Sequence, residues 1–497
     1  MDTVQDHKGF RMSLSNIRSG IFLPKYYNPE IIARLEVLRE THNLISLEEL
    51  ISNKHVQFAT GDEIGKMAYG TGTIPFIRTS DISNGEIKID PKQGVSDEIF
   101  TQYGPKQDVR AGDIFFVRDG TYLIGQVAIV TESDLPLLYQ SHLLKFRVSA
   151  DSPISPWLLL ACLNAPVVKN QIRAKQFTAD IIDTIGNRFQ ELVLPVPKDG
   201  ELCVRIEREV KELVTERSRL RDKIRKIPYW VQGLIRSLDE SVPEDAVEGV
   251  LDHGNPGFTL RMSNLCNGVF IPKYYDPHIE ANIALLRGTH DFVSLGDLCR
   301  GGKNAILSWE TGIEIGKMAY GTGDIPFIRT SDISNWELKV DPKQAVSEEI
   351  YESNKQDVRG GDIFVVRDGT YLVGTSCILT EKDTKILYCG GLYKLRVEKP
   401  DKLNPYLLLA LLNAPIVRRQ MRAKQFTRDI IDTLGKRLFE VLLPIPKDPN
   451  LRKCITDETR IAIETRAKLR DRTKEIAFEV EGIGAISDDD IDDLVLL

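Results

Sequence analysis

At 497 residues the chain is long enough for roughly two to four domains, and its 42% hydrophobic and 28% charged residues suit a globular protein with ample core. A net charge of −7 and a pI near 5.7 exclude a uniformly basic surface, though not a basic cleft within an acidic total. No stretch approaches the roughly 18 apolar residues of a membrane span. Seven cysteines without a C-x-x-C pair and seven scattered histidines argue against a disulfide framework and a structural zinc site, and favour reduced thiols in a cytoplasm.

The N-terminal "MDTVQDHKGFRMS" has no apolar core, so no secretory signal is expected. From there the chain runs through one long unit and then repeats it. "SGIFLPKYYNPEI" from Ser19 returns as "NGVFIPKYYDPHI" from Asn267, and "GKMAYGTGTIPFIRTSDISNGEIKIDPKQ" (65–93) returns almost unchanged at 316–344. "GDIFFVRDGTYLIG" (112–125) is matched at 361–374, and the segments starting "RAKQFT" at Arg173 and Arg422 close both units on "LPVPKD" or "LPIPKD". The offset is 248 at Pro24/Pro272, 251 at Pro75/Pro326 and 249 at Asp113/Asp362. So small a drift describes two copies of one domain, with a period far above that of solenoid repeats.

Within a copy, "IPFIRTSDI", "DIFFVRDG", "QVAIVTE" and "HLLKFRVSA" read as short strands ending in polar turns. "SPWLLLACLNAPVVKNQIR" reads as one helix opened by Ser155-Pro156, and the two prolines of "LPVP" are expected to break regular structure. The unit is α+β. After each copy comes a charged amphipathic stretch. In the first, Ile206, Val210, Leu213, Leu220, Ile224 and Ile227 recur at steps of three and four, with Arg217 filling one seam position. In the second, Thr459, Arg466 and Thr473 occupy equivalent places. These are predicted to be two long helices that pair as an antiparallel coiled coil and space the domains, the alternative being two amphipathic helices that each pack on their own domain. The predicted organisation is a domain over 1–199, a helix over 200–232, an acidic Pro-bearing linker over 233–256, a second domain over 257–448, a second helix over 449–481 and an acidic tail over 482–497.

One pattern suggests catalysis. Asp81, Glu86 and Lys88, repeated as Asp332, Glu337 and Lys339, have the residue types of a D…E-x-K nuclease, in which an aspartate and an E-x-K arm converge on a divalent cation. Only "ISNG" separates Asp81 from Glu86, a spacing that suits a strand–turn–strand. There is no G-x-S-x-G, no phosphate-binding G-x-x-x-x-G-K-[ST] loop and no methyltransferase [DNS]-P-P-[FYW] tetrapeptide. The chain therefore reads as a binder, with no cofactor of its own. Three polar clusters follow apolar segments in both copies: Arg78, Thr79 and Ser80 with Arg329, Thr330 and Ser331; Arg118, Thr121 and Tyr122 with Arg367, Thr370 and Tyr371; and Arg173, Lys175 and Gln176 with Arg422, Lys424 and Gln425. Arginine grips guanine bidentately, glutamine does so for adenine, and Ser, Thr and Lys serve phosphates. Lys66, Tyr69 and Thr71, their counterparts Lys317, Tyr320 and Thr322, and His142 complete the candidate DNA-binding set. Local Arg–Asp salt bridges and threonine turn caps are the structural alternative for each.

The order "YYNPE", "IPFIRTSDIS", "GDIFFVRDGT", a closing "QF…IG…LVLPVP" and a helix, run through twice, resembles the specificity (S) subunit of type I restriction-modification systems. That resemblance covers essentially the whole chain. It implies two target-recognition domains, each reading one half of a bipartite double-stranded DNA target, and paired helices that set the gap and dock methyltransferase subunits. Catalysis and S-adenosylmethionine would belong to that partner, with a restriction/translocase subunit as a further component, and no membrane would be involved. Members of that family often carry dissimilar domains, whereas these are near twins, which implies a quasi-palindromic target. Differences between half-sites are then expected where the copies diverge: Thr73/Asp324, Gly85/Trp336 and Ser141-His142/Gly390-Gly391. A stand-alone metal-dependent nuclease and a scaffold binding a symmetric protein partner are the competing readings.

Overall fold

The structure, a computed structural model, describes residues 12–14, 17, 20–120, 122–179, 182–243, 246, 257–266, 268–369, 372–428 and 431–482. Half of the expected linker, nearly all of the acidic tail, and the candidate residues Thr121, Thr370 and Tyr371 lie outside the described residues.

Each copy is organised by a four-stranded antiparallel sheet. In the first its order is Val56–Thr60, Leu143–Val148, Ile114–Val117, Val127–Ile129, and in the second Leu307–Thr311, Leu392–Val397, Ile363–Val366, Ser376–Ile378. The strand "IFFV" is apolar throughout because both of its faces are covered. Ile114 and Phe116 point into one core with Leu158 and Leu163, while Phe115 and Val117 point into a second with Ile82 and Tyr139. A three-stranded sheet stands beside it, with Ile74–Ile77 between antiparallel Gln93–Val95 and parallel Leu138–Tyr139.

Two local expectations change. The single helix predicted from Ser155 is two, Pro156–Asn164 and Pro166–Lys175. Pro166 drives Ala165 out of the helical region to ψ 138° and then serves as the first residue of the next helix. "LPVP" is not a break but a strand, Val193–Pro197, antiparallel to His42–Ser46, with Pro195 and Pro197 opposite Leu44 and His42. A two-stranded pairing tolerates prolines because every second N–H points away from the partner. This pairing ties the start of the domain to its end.

The long helices run Gly200–Val231 and Pro449–Glu479, capped by the Asp199 and Asp448 carboxylates. The seam expected from the sequence is buried on both, including Arg217, Thr459 and Arg466, except at Thr473, which is half-buried. The helices are antiparallel: Arg205 pairs with Glu479, Arg472 with Glu209, and Arg217 and Arg466 each donate to the other's main-chain carbonyl. Each helix begins on its own domain and ends on the other. Ile206, Val210 and Leu213 belong to the first domain's core, whereas Leu220, Ile224, Ile227 and Val231 belong to the second's. Reciprocally, Ile455 and Ile463 pack in the second core, and Ile476 and Val480 in the first.

The helix ends dock in matched ways. The Val231 carbonyl meets His290 Nε2 at 2.8 Å and the Val480 carbonyl meets His42 Nε2 at 2.8 Å. Gln232 Oε1 accepts from Ile416 N, and the Glu481 carboxylate, held also by Arg34, accepts from Val167 N. Apart from the Arg34–Glu481 ion pair, each of these contacts has a partner shifted by one repeat, so the two halves are related by a pseudo-twofold axis. Among the described residues no helix is long and apolar enough to cross a membrane.

Candidate functional site

The D…E-x-K pattern lies on that axis. Asp81 is buried and accepts the Arg78 and Lys92 backbone N–H groups, so its carboxylate fastens its own turn. Burial raises its pKa despite Lys88 nearby, and the same holds for Asp332 beside Lys339. Glu86 points the other way, into the helix pair. Its Oε2 lies 2.7 Å from both Arg217 and Arg466, and Glu337 Oε1 lies 2.5 and 3.0 Å from the same two guanidinium groups. Burial alone would raise both glutamates, but the two arginines outweigh it and hold both carboxyls below their ordinary value. Two carboxylates and two guanidiniums thus form one buried, neutral cluster. The aspartate and the E-x-K arm do not converge, and no group of metal-holding side chains occurs among the described residues.

The hairpins carrying these glutamates, Ile82–Ser83 with Glu86–Ile87 and Ile333–Ser334 with Glu337–Leu338, face each other. Asn84 Nδ2 donates to Glu337 Oε1 and the Leu338 carbonyl, and its Oδ1 accepts from Val340 N. Asn335 returns the pattern, accepting from Ile89 N and donating to the Ile87 carbonyl. Both asparagines sit at positive φ, 52° and 49°, which asparagine tolerates better than most residues. The divergence Gly85/Trp336 belongs here as well. Trp336 is only 4% exposed and packs in the second domain's core, so this difference concerns core packing and not base reading. Tyr122 also lies near this junction, with the Lys343 ammonium 3.9 Å above its ring.

Away from the axis, parts of the three polar clusters adjoin. Leu434 N donates to the Arg367 carbonyl and Gly369 N to the Asp432 carbonyl, fastening the second cluster to the end of the third. A Cβ on Gly391 would lie 2.9 Å from the Thr330 methyl and 4.0 Å from Asp368 Cβ, which brings in the first cluster. The first domain repeats this through Ile185 N to the Arg118 carbonyl and Gly120 N to the Asp183 carbonyl. His142 stands where Gly391 does, with Nδ1 2.9 Å from Asp119. Arg118 and Arg367 are each paired with the next aspartate. Arg78 leans on Gln140 at 3.4 Å, while Thr79, Ser80, Thr330 and Ser331 form short turns with Arg329 leading the second.

The third cluster divides. Lys175 and Lys424 turn back to Glu191 and Glu440, at 2.8 and 2.9 Å, and lie over the Tyr26 and Tyr274 rings. Arg173 lines a different groove with Arg34 and Glu481, and Arg422 is exposed. Gln176 is half-buried, and Gln425 contacts Asp432 at 3.5 Å. Lys66, Thr71, Lys317 and Thr322 lie on exposed turns, braced by Tyr69 stacked on Phe76 and Tyr320 stacked on Phe327. On those turns Met67 and Met318 are each 92% exposed, and the sequence reading passed over them because methionine ordinarily signals core.

Where the second and third clusters meet, the second domain has a cleft of about 750 Å³ walled by Trp309, Tyr393, Phe426, Arg367, Arg437 and Lys436. The Arg437 guanidinium lies 4.0 Å over the Phe426 ring, and Arg188 lies 4.1 Å over Phe177 in the first domain. A stacked guanidinium beside open aromatic surface offers cation–π, stacking and phosphate contacts together. Trp309 and Lys436 could have been found by aligning the two copies, since both positions differ within matched surroundings.

No family model matches the sequence, and no curated protein sequence does. Similar solved structures are the S subunit of a type I restriction-modification system from M. genitalium, at 11% identity and TM-score 0.29 over 89% of this chain and 94% of that one. Another is the HsdS subunit from Thermoanaerobacter tengcongensis, at 16% identity and TM-score 0.25 over 90% and 93%. A third chain comes from work on complex assembly and conformational transition of the type I R-M system, at 17% identity and TM-score 0.27 over 89% and 97%.

Proposed function

We propose that the chain is a non-catalytic, sequence-specific DNA-recognition subunit of a type I restriction-modification complex. The observation that carries this reading is the combination of a pseudo-twofold frame with an outward cleft of arginine, lysine and aromatic residues on the second domain, largely repeated on the first. Two like readers related by a twofold axis match inverted half-sites, because duplex DNA has the same local symmetry. The target is a bipartite, quasi-palindromic sequence, and the rigid helix pair sets the gap between its halves. The chemistry then belongs to methyltransferase subunits docked along the long helices, which bring S-adenosylmethionine, and to a restriction subunit where the system cleaves. The glutamates of the nuclease-like pattern are committed to Arg217 and Arg466, which supports a binder over an enzyme.

Co-expression of the full chain with the methyltransferase encoded beside it, in a host lacking that modification, tests this by methylome sequencing. One interrupted, nearly palindromic methylated motif is expected. Two unrelated half-sites would overturn the quasi-palindrome, and absence of methylation together with salt-insensitive DNA binding would overturn the DNA-reading role.

A further inference from the structure

The two clefts share a frame and differ at one exposed polar position. In "GNRF" and "GKRL" the residue before the stacking arginine is Asn187 in the first domain and Lys436 in the second. Both are exposed, and neither makes a hydrogen bond or ion pair among the described residues. Each follows a glycine at positive φ, Gly186 at 53° and Gly435 at 50°, so the turn presents both side chains alike. Each neighbour is fixed: Arg188 and Arg437 donate to the carbonyls of Lys175 and Lys424 and of Thr184 and Thr433 while covering the rings beneath. The rigid turns leave both polar ends free of internal partners and open to an external one.

Their hydrogen-bonding chemistry differs. The ammonium of Lys436 only donates, and it lines the same cleft as Arg437 and Arg367, whose neighbouring Asp368 is already paired with Arg367. The amide of Asn187 donates and accepts at once. In the major groove guanine shows two acceptors, N7 and O6, whereas adenine shows an acceptor and a donor, N7 and N6. Resting on the DNA-reading role above, we infer that position 187/436 sets a base at which the two half-sites differ: Asn187 selects adenine in the first half and Lys436 selects guanine in the second.

The test uses the full chain with its methyltransferase and reads methylated motifs. Wild type should show adenine and guanine at equivalent positions of the two halves. Lys436→Asn should turn the guanine to adenine and make the motif symmetric at that position, with about tenfold or greater loss of affinity for the original half-site. Asn187→Lys should make the opposite change in the first half, the double exchange should reverse the asymmetry, and Lys436→Arg should keep guanine. Methylation that persists on an unaltered motif in the exchanged variants would overturn the inference, as would a wild-type motif with identical halves. A wild-type chain that directs no methylation and binds DNA without salt dependence overturns the proposed function itself, an outcome distinct from either.

Discussion

The hairpins on the pseudo-twofold axis and the outward clefts come from the same repeated unit, yet the two copies treat them differently. Over 81–90 and 332–341 the copies differ only at Gly85/Trp336, Ile87/Leu338 and Ile89/Val340. Among the eleven residues that line the cleft they differ at three, Phe58/Trp309, Leu144/Tyr393 and Asn187/Lys436, with His142/Gly391 beside them, and these differences change hydrogen-bonding chemistry where those of the hairpin involve no polar side chain. A segment that contacts its own copy must suit both sides of that contact, so Asn84, Glu86 and Arg217 are matched by Asn335, Glu337 and Arg466. A segment that faces outward answers only to what it binds, and each copy can change alone. The near-identity of the repeated stretch therefore reflects the joint between domains as much as any shared ligand.

Breaking the joint should cost most. Arg466→Met leaves Glu86 and Glu337 buried with one guanidinium between them, and an unfolding free energy lower by about 3–5 kcal/mol is expected in urea titration. Arg217→Met should cost the same, and clearly unequal losses would break the twofold comparison. Asn84→Ala removes three hydrogen bonds across the joint and puts alanine at positive φ, for a loss of about 2–4 kcal/mol.

Acid should act on the same cluster. Glu86 and Glu337 are held below the ordinary glutamate value of 4.5, so their contribution is complete above pH 4.5 and is lost as pH falls through the depressed folded values. Melting temperatures measured downward from pH 4.5 should fall more steeply for wild type than for Glu337→Gln. The smallest effect on the fold is expected outside the joint. Lys66→Ala, on an exposed turn, should change stability by no more than about 0.5 kcal/mol. In the complex it should make the slope of log affinity for DNA against log salt shallower by about one, as loss of a phosphate contact does.

Much of the architecture was legible along the chain. The seam from Ile206 to Ile227 announced a buried helix face, and "DIFFVRDG" announced a strand ending in a polar turn, because both depend on local periodicity. The break at Ala165-Pro166 was legible in principle, since proline alone causes it. The strand at "LPVP" was not, because its prolines are tolerated only by a partner, His42–Ser46, far earlier in the chain.

What the sequence determined by itself is the duplication, the α+β class of each copy and the two long amphipathic helices, all of which follow from repeats and spacing. The tertiary structure alone decided what Glu86 is for. Its arginine partners lie 131 and 380 residues away, and only when both helices cross at the axis do two carboxylates and two guanidiniums neutralise one another out of water. It alone likewise decided which polar residues share a cleft, because long-range strand pairing and the hairpin docking at Asp432 bring Arg367, Lys436 and Trp309 to one wall.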